Sequence, residues 1–129
     1  MRSAATWLKN IFKVKPDSCL FCKIIAGEAP GKIVYRDEMF TAFDDIHRFA
    51  PVHILIVPNR HINSLNETVD ADQEWLGRML LLAHRLAEEA GIHESGYRLM
   101  LNTGREGGQT VGHLHLHLIG GRSLIPGMS

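Results

Sequence analysis

Polar and apolar residues alternate strictly from His113 to Leu118, in the run His113-Leu114-His115-Leu116-His117-Leu118-Ile119. A strand sends successive side chains to opposite faces, so as a strand this run puts three histidines on one face and three leucines on the other. The run His53 to Val57 is apolar throughout after its histidine and is closed by Pro58, as expected of a strand buried on both faces. Lys32 to Arg36 and Met39 to Asp44 read as two strands joined at Asp37-Glu38, and Tyr97 to Thr103 as another. The period changes to 3.6 over Asp70 to Ala90, where Trp75, Leu76, Met79, Leu80, Ala83, Leu86, Ala87 and Ala90 recur at helical spacing. Asp70 and Gln73 form a capping-box-like start and Gly91 a stop. A shorter helix is predicted between Ser18, as N-cap, and Gly27. Short links between neighbouring strands favour antiparallel pairing. The fold class predicted is therefore α+β: an antiparallel five-stranded sheet with one long and one short helix, both packed on one side.

The chain has 129 residues, the size of one domain. Lys+Arg and Asp+Glu both number 14, which gives no electrostatic footprint for nucleic acid or an anionic membrane surface. No apolar run approaches the ~20 residues of a membrane span. The composition shifts only at the N-terminus: residues 1–16 carry Arg2, Lys9, Lys13 and Lys15 and no acid. They read as a basic tail ahead of a domain over 17–129, either loosely ordered or an organelle transit segment. The apolar core of a secretory signal is missing, so a cytoplasmic protein is expected, with import through the tail as the alternative.

Three imidazoles on one strand face point to chemistry. A neutral imidazole attacks phosphorus near pH 7 once its other nitrogen is held by an acceptor. The loop just upstream, Gly107-Gly108-Gln109-Thr110-Val111-Gly112, offers side-chain and backbone donors for phosphate oxygens. All three histidines ligating one zinc is unsuitable, because i, i+2 and i+4 spread over ~13 Å of strand. Cys19 and Cys22 are spaced Cys-x-x-Cys, which reads as half a zinc site or a redox pair; with no second such pair, a zinc site has to recruit histidines. His47, His84 and His93 are expected on solvated surface.

The run His113 to Ile119 resembles the signature of the histidine-triad (HIT) superfamily, three histidines alternating with apolar residues. Cys-Leu-Phe-Cys-Lys-Ile-Ile-Ala-Gly-Glu, Ala-Phe-Asp-Asp-Ile, Ala-Pro-Val-His-Ile-Leu-Ile-Val-Pro, Arg-His-Ile and Gly-Gly-Gln-Thr-Val follow the family's order across Cys19 to Arg122. The closing Gly120-Gly121-Arg122 is most similar to the Hint branch, the purine nucleoside phosphoramidases.

The resemblance implies hydrolysis of purine nucleoside 5′-phosphoramidates through a nucleotidyl-histidine intermediate. His115 would be the nucleophile, His117 would touch the phosphate, and His53 would stand behind them. Asp45 would grip the ribose hydroxyls. Leu20, Phe21, Ile24, Phe43 and Ile46 would line the purine pocket. Asn102 and the loop residues Gly108, Gln109, Thr110 and Val111 would face the phosphate. No catalytic cofactor is implied; a structural zinc on Cys19, Cys22, His61 and His113, as in some bacterial relatives, is the one metal suggested. A homodimer is implied as well, with Trp75 and Met79 assignable either to its interface or to the core. The alternatives are a nucleotide-binding regulatory module acting through protein partners and a dinucleoside polyphosphate hydrolase. Thr110 stands where the family commonly has serine, and the C-terminal tail lacks the tryptophan that helps set substrate choice in some relatives.

Overall fold

The computed structural model describes residues 16–125; the basic segment assigned to residues 1–16 lies outside them except for Pro16, which opens a 3-10 turn. Five strands, β1 (Ile33–Arg36), β2 (Phe40–Asp44), β3 (Val52–Pro58), β4 (Tyr97–Met100) and β5 (Leu116–Gly120), form one sheet in the order β1-β2-β3-β5-β4. Every neighbouring pair is antiparallel. Helix α1 (Leu20–Ile25) precedes the sheet, and α2 (Gln73–Glu89) joins β3 to β4.

The two helices lie on opposite faces of the sheet, not on one side. Ala42, Ile54, Ile56, Leu116 and Leu118 point to α2 and pack with its Met79, Leu82, Ala83, Leu86 and Ala87. Phe43, Leu55 and Val57 alternate with them and pack against Cys19, Phe21 and Ile24 from α1 and its N-cap. The unbroken apolar run of β3 is what permits this, since each face of that strand meets a different helix. On α2 the buried stripe runs through Met79, Leu82, Ala83 and Leu86, at i, i+3, i+4 and i+7. Leu80 lies about 100° off that stripe and is exposed. Met79 belongs to the core, while Trp75 packs at its margin.

Several element ends differ from expectation for local reasons. Cys19, not Ser18, caps α1: its Sγ accepts the Cys22 N–H at 3.4 Å. Asp72, not Asp70, opens the long helix, accepting the Val69 N–H and the Trp75 indole N–H at 2.7 Å each. Asp37 closes the β1–β2 turn by accepting from the N–H groups of Met39 and Phe40. The histidine strand enters the ladder only at Leu116. Pro58 has no N–H to offer the Leu114 carbonyl at the end of β3, its own carbonyl accepts from His113 Nε2, and the Leu114 N–H goes to the Ile62 carbonyl at 2.8 Å. The alternation persists through this unpaired stretch: Leu114 joins the α2 face, while His113 and His115 meet Phe21 on the α1 face.

Candidate active site

The register of the sheet assembles the site. Leu55 lies opposite His117, and His53 opposite Ile119, so both histidines share the α1 face. His53 Nε2 lies 2.9 Å from His117 Nδ1, and the rings of His115 and His117 are 5.0 Å apart. Phe21 stands edge-on to His115 at 5.1 Å and to Phe43 at 5.3 Å. Asp45 follows β2; its N–H donates to the His53 carbonyl at 2.9 Å, and Oδ2 comes within 3.3 Å of His53 Nε2.

Main-chain partners decide where His115 and His53 carry their protons, and His53 in turn decides it for His117. His115 Nδ1 lies 2.7 Å from the His113 carbonyl. A carbonyl oxygen only accepts, so Nδ1 bears the hydrogen and Nε2 keeps its lone pair. His53 is held the opposite way: the Phe49 N–H donates to its Nδ1 at 3.0 Å, so neutral His53 carries its hydrogen on Nε2. That hydrogen is donated to His117 Nδ1, which leaves neutral His117 with an Nε2–H donor. Burial favours the neutral forms. It lowers His115 and, against the opposing charge of Asp45, His53. Burial, then the neighbouring His115 and His53, holds His117 down at about 4.

The glycine loop is braced from within. Gln109 accepts the Gly104 N–H at 2.9 Å and donates both amide hydrogens, to Asn63 O at 2.7 Å and Val111 O at 2.9 Å. Both side-chain donors of Gln109, expected to face a phosphate, are engaged within the protein. The backbone N–H groups of Gly108 and Gln109 are also spent inside the loop. Thr110, exposed, and Val111 follow in sequence, one residue short of the histidine run. Asn102 lies on the same loop system, close to Gly108. Of the apolar set, Phe21, Ile24 and Phe43 are buried, whereas Leu20 is 50% and Ile46 83% exposed. His47, His84 and His93 are on the surface, as expected.

A second cluster adjoins the first. Cys19 Sγ lies 3.3 Å from His113 Nδ1, and Cys22 Sγ lies 3.2 Å from His61 Nδ1 and 3.6 Å from His113 Nδ1. Sulfur and nitrogen ligands of a tetrahedral zinc stand about 3.5 Å apart, so the four donors fit that ion as they lie. His113 Nε2–H donates to the Pro58 carbonyl at 2.9 Å, which leaves Nδ1 as a lone pair aimed at the thiols and fixes the ligand tautomer. Asp45, His53 and His117 also bring three donor atoms within 4.8 Å, but there the outer partner is the wrong one. With the Phe49 N–H on His53 Nδ1, ligation through Nε2 would require an imidazolate. The cysteine–histidine cluster suits a metal; the Asp45–His53–His117 group suits a chain of hydrogen bonds between neutral imidazoles.

Sequence reasoning named the histidines but missed Phe49, Pro58 and Arg122, which hold them or their loop. The first two act through main-chain groups that no motif encodes. Arg122 is visible in the Gly-Gly-Arg ending, although its reach to Phe49, 73 residues away, is not.

A buried imidazole with its Nε2 lone pair unprotonated thus stands on the histidine-lined face of an antiparallel sheet. The HIT domain matches residues 26–124. A purine nucleoside phosphoramidase of Escherichia coli (strain K12) is 50% identical over 110 residues, 85% of this chain and 92% of that protein. The HIT family hydrolase of Legionella pneumophila Philadelphia 1 superposes with a TM-score of 0.83 at 46% identity, covering 85% of this chain and 98% of that one. A zinc-bound histidine triad family protein from Mycobacterium smegmatis has a TM-score of 0.73 at 33% identity, covering 87% and 81%. The chain belongs to the HIT-domain family, as one of its hydrolases. Among the described residues no helix is long and apolar enough to cross a membrane.

The depressed basicity of His117 is directly measurable. Its Cε1–H resonance should show no titration step between pH 5.5 and 8, because the ring stays neutral above about 4. A step near 6.5 would contradict the buried, neutral assignment.

Proposed function

We propose that this protein hydrolyses purine nucleoside 5′-phosphoramidates to the nucleoside monophosphate and an amine. The observation that carries the reading is the His115 ring, whose Nδ1–H is donated to the His113 carbonyl so that Nε2 is a lone pair at neutral pH. The half-identical phosphoramidase of Escherichia coli supplies the substrate class. In the first step His115 Nε2 attacks phosphorus in line; the N–P bond to His115 forms as the bond to the amine breaks, and the departing nitrogen takes up one proton from solvent, a proton that the attacking water of the second step gives back. In the second step water attacks phosphorus and releases the monophosphate and the free imidazole. His117, neutral above about 4, serves as a hydrogen-bond donor to a phosphoryl oxygen rather than as a cationic acid. His53 keeps that donor in place.

Asp45 is the acceptor for the ribose hydroxyls: Oδ1 takes the His47 N–H at 2.8 Å, and a carboxylate has lone pairs left for two hydroxyl donors. Leu20 and Ile46, exposed beside the buried Phe21, Ile24 and Phe43, supply apolar surface for a purine to cover. Thr110 and the N–H of Val111 beyond it take the remaining phosphate contacts. Replacing His115 with Asn should cut AMP release from adenosine 5′-phosphoramidate by at least roughly 10³-fold while AMP still binds in a titration. Turnover within a few-fold of wild type would remove His115 from the nucleophile's role.

Cys19, Cys22, His61 and His113 hold one structural zinc in this reading. The donor spacing and the Pro58-fixed tautomer of His113 support it. A closed Cys₂His₂ set leaves no open position for a substrate, so such an ion would stabilise the fold and take no part in the reaction. Protein purified without chelators should contain close to one zinc per chain, and Cys22→Ser should lose most of it. Stoichiometry near zero in the wild type would overturn the assignment.

A further inference from the structure

We propose that Arg122 is a positioning residue for the active site: by holding Phe49 it sets the tautomer of His53 and, through it, that of His117. The link runs through four contacts. Arg122 Nη2 donates to the Phe49 carbonyl at 2.7 Å, and its guanidinium lies 4.9 Å above the Phe49 ring. The N–H of the same residue donates to His53 Nδ1 at 3.0 Å. His53 Nε2–H then donates to His117 Nδ1 at 2.9 Å.

Phe49 needs such a clamp. It sits between β2 and β3, outside both strands, and is 47% exposed, so burial alone does not fix it. Arg122 holds it from two directions, one planar hydrogen bond and one stacked face, which a guanidinium supplies and an ammonium does not. The clamp itself is built into the end of β5. Gly121 adopts φ +94°, and a Cβ there would come within 3.0 Å of Pro51. A Cβ on Gly120 would meet Ile92 at 2.7 Å. The two glycines therefore let the chain turn tightly beside Pro51 and bring Arg122 onto Phe49. Arg98 secures the segment beyond by donating to the Leu124 carbonyl at 3.1 Å.

Without the clamp, the donor on His53 Nδ1 is no longer held in place, and the Asp45 carboxylate, 3.3 Å from Nε2, is left as the one group favouring a hydrogen on that nitrogen. That ring can then carry its hydrogen on Nδ1 and turn a lone pair on Nε2 toward Asp45 and His117. His117 answers by protonating Nδ1, and its Nε2 ceases to be a donor. The inference rests on the proposed role of His117, but its structural part is testable without substrate.

The experiment is long-range ¹H–¹⁵N spectroscopy of the full chain labelled at histidine, for wild type, Arg122→Ala, Arg122→Lys and Phe49→Leu. Wild type should show His53 and His117 protonated at Nε2. Arg122→Ala should populate the Nδ1–H tautomer in both and lose roughly 10-fold in kcat on adenosine 5′-phosphoramidate, the scale on which orienting partners of functional histidines act, with little change in KM. Arg122→Lys, which keeps a donor for the Phe49 carbonyl, should recover part of both. Phe49→Leu, which keeps the carbonyl and removes the ring, should fall between wild type and Arg122→Ala. Wild-type tautomers in Arg122→Ala would overturn the proposal whatever the rate does. A wild type inactive on this substrate would sink the phosphoramidase reading alone, and the spectra would still decide the role of Arg122.

Discussion

The interaction on which the site depends is a hydrogen bond between neighbours two residues apart: His115 Nδ1–H to the His113 carbonyl. It turns an ordinary imidazole into one with a defined lone pair. It costs the protein no extra side chain, because the acceptor is the strand's own backbone. The same device recurs at His53 and His113, and His53 passes it on to His117. The Phe49 N–H sets His53, the Pro58 carbonyl sets His113, and His53 sets His117. Backbone groups are rigid, and their character as donor or acceptor does not change with pH. A row of neutral rings held this way behaves predictably over the range in which free histidines titrate.

His113 shows how tightly the two clusters are joined. Its ring faces the thiols of Cys19 and Cys22, its Nε2–H is donated to the end of β3, and its carbonyl orients His115. Phe21, between the two cysteines in sequence, touches the rings of both His113 and His115. Helix α1 therefore contributes to the cysteine–histidine cluster and to the wall behind His115 at once. This explains why so short a helix is fixed on its own face of the sheet instead of joining α2. His113 finds partners for both ring nitrogens there, which is the condition for placing an imidazole beside a hydrophobic cluster.

Most of the fold was legible because its signals are periodic. The leucines of the histidine run, the double-sided β3 and the long helix all follow from spacing, and the antiparallel sheet follows from short connections. The placement of the helices on both faces was less accessible: α1 offers only Phe21 and Ile24 as a buried stripe, too few positions to specify a face. Element ends were misjudged where a side chain competed with the expected cap, as Cys19 does with Ser18 and Asp72 with Asp70. In the site, side chains of distinctive chemistry were found from sequence, and the backbone groups that orient them were not. Gln109 illustrates the limit. Its amide is a plausible phosphate donor by type, yet its hydrogen bonds all close within the protein.

The claim that unites these features is that His115 Nε2 forms a bond to phosphorus. The most direct test is to mix the protein with adenosine 5′-phosphoramidate, quench within the first turnover under alkaline conditions that preserve an N–P bond, and map the modified peptide by fragmentation mass spectrometry. The account predicts one adenylyl group, carried on His115 and discharged by water as the reaction proceeds. An adduct on another residue, or turnover through which His115 stays unmodified at every time sampled, would contradict it.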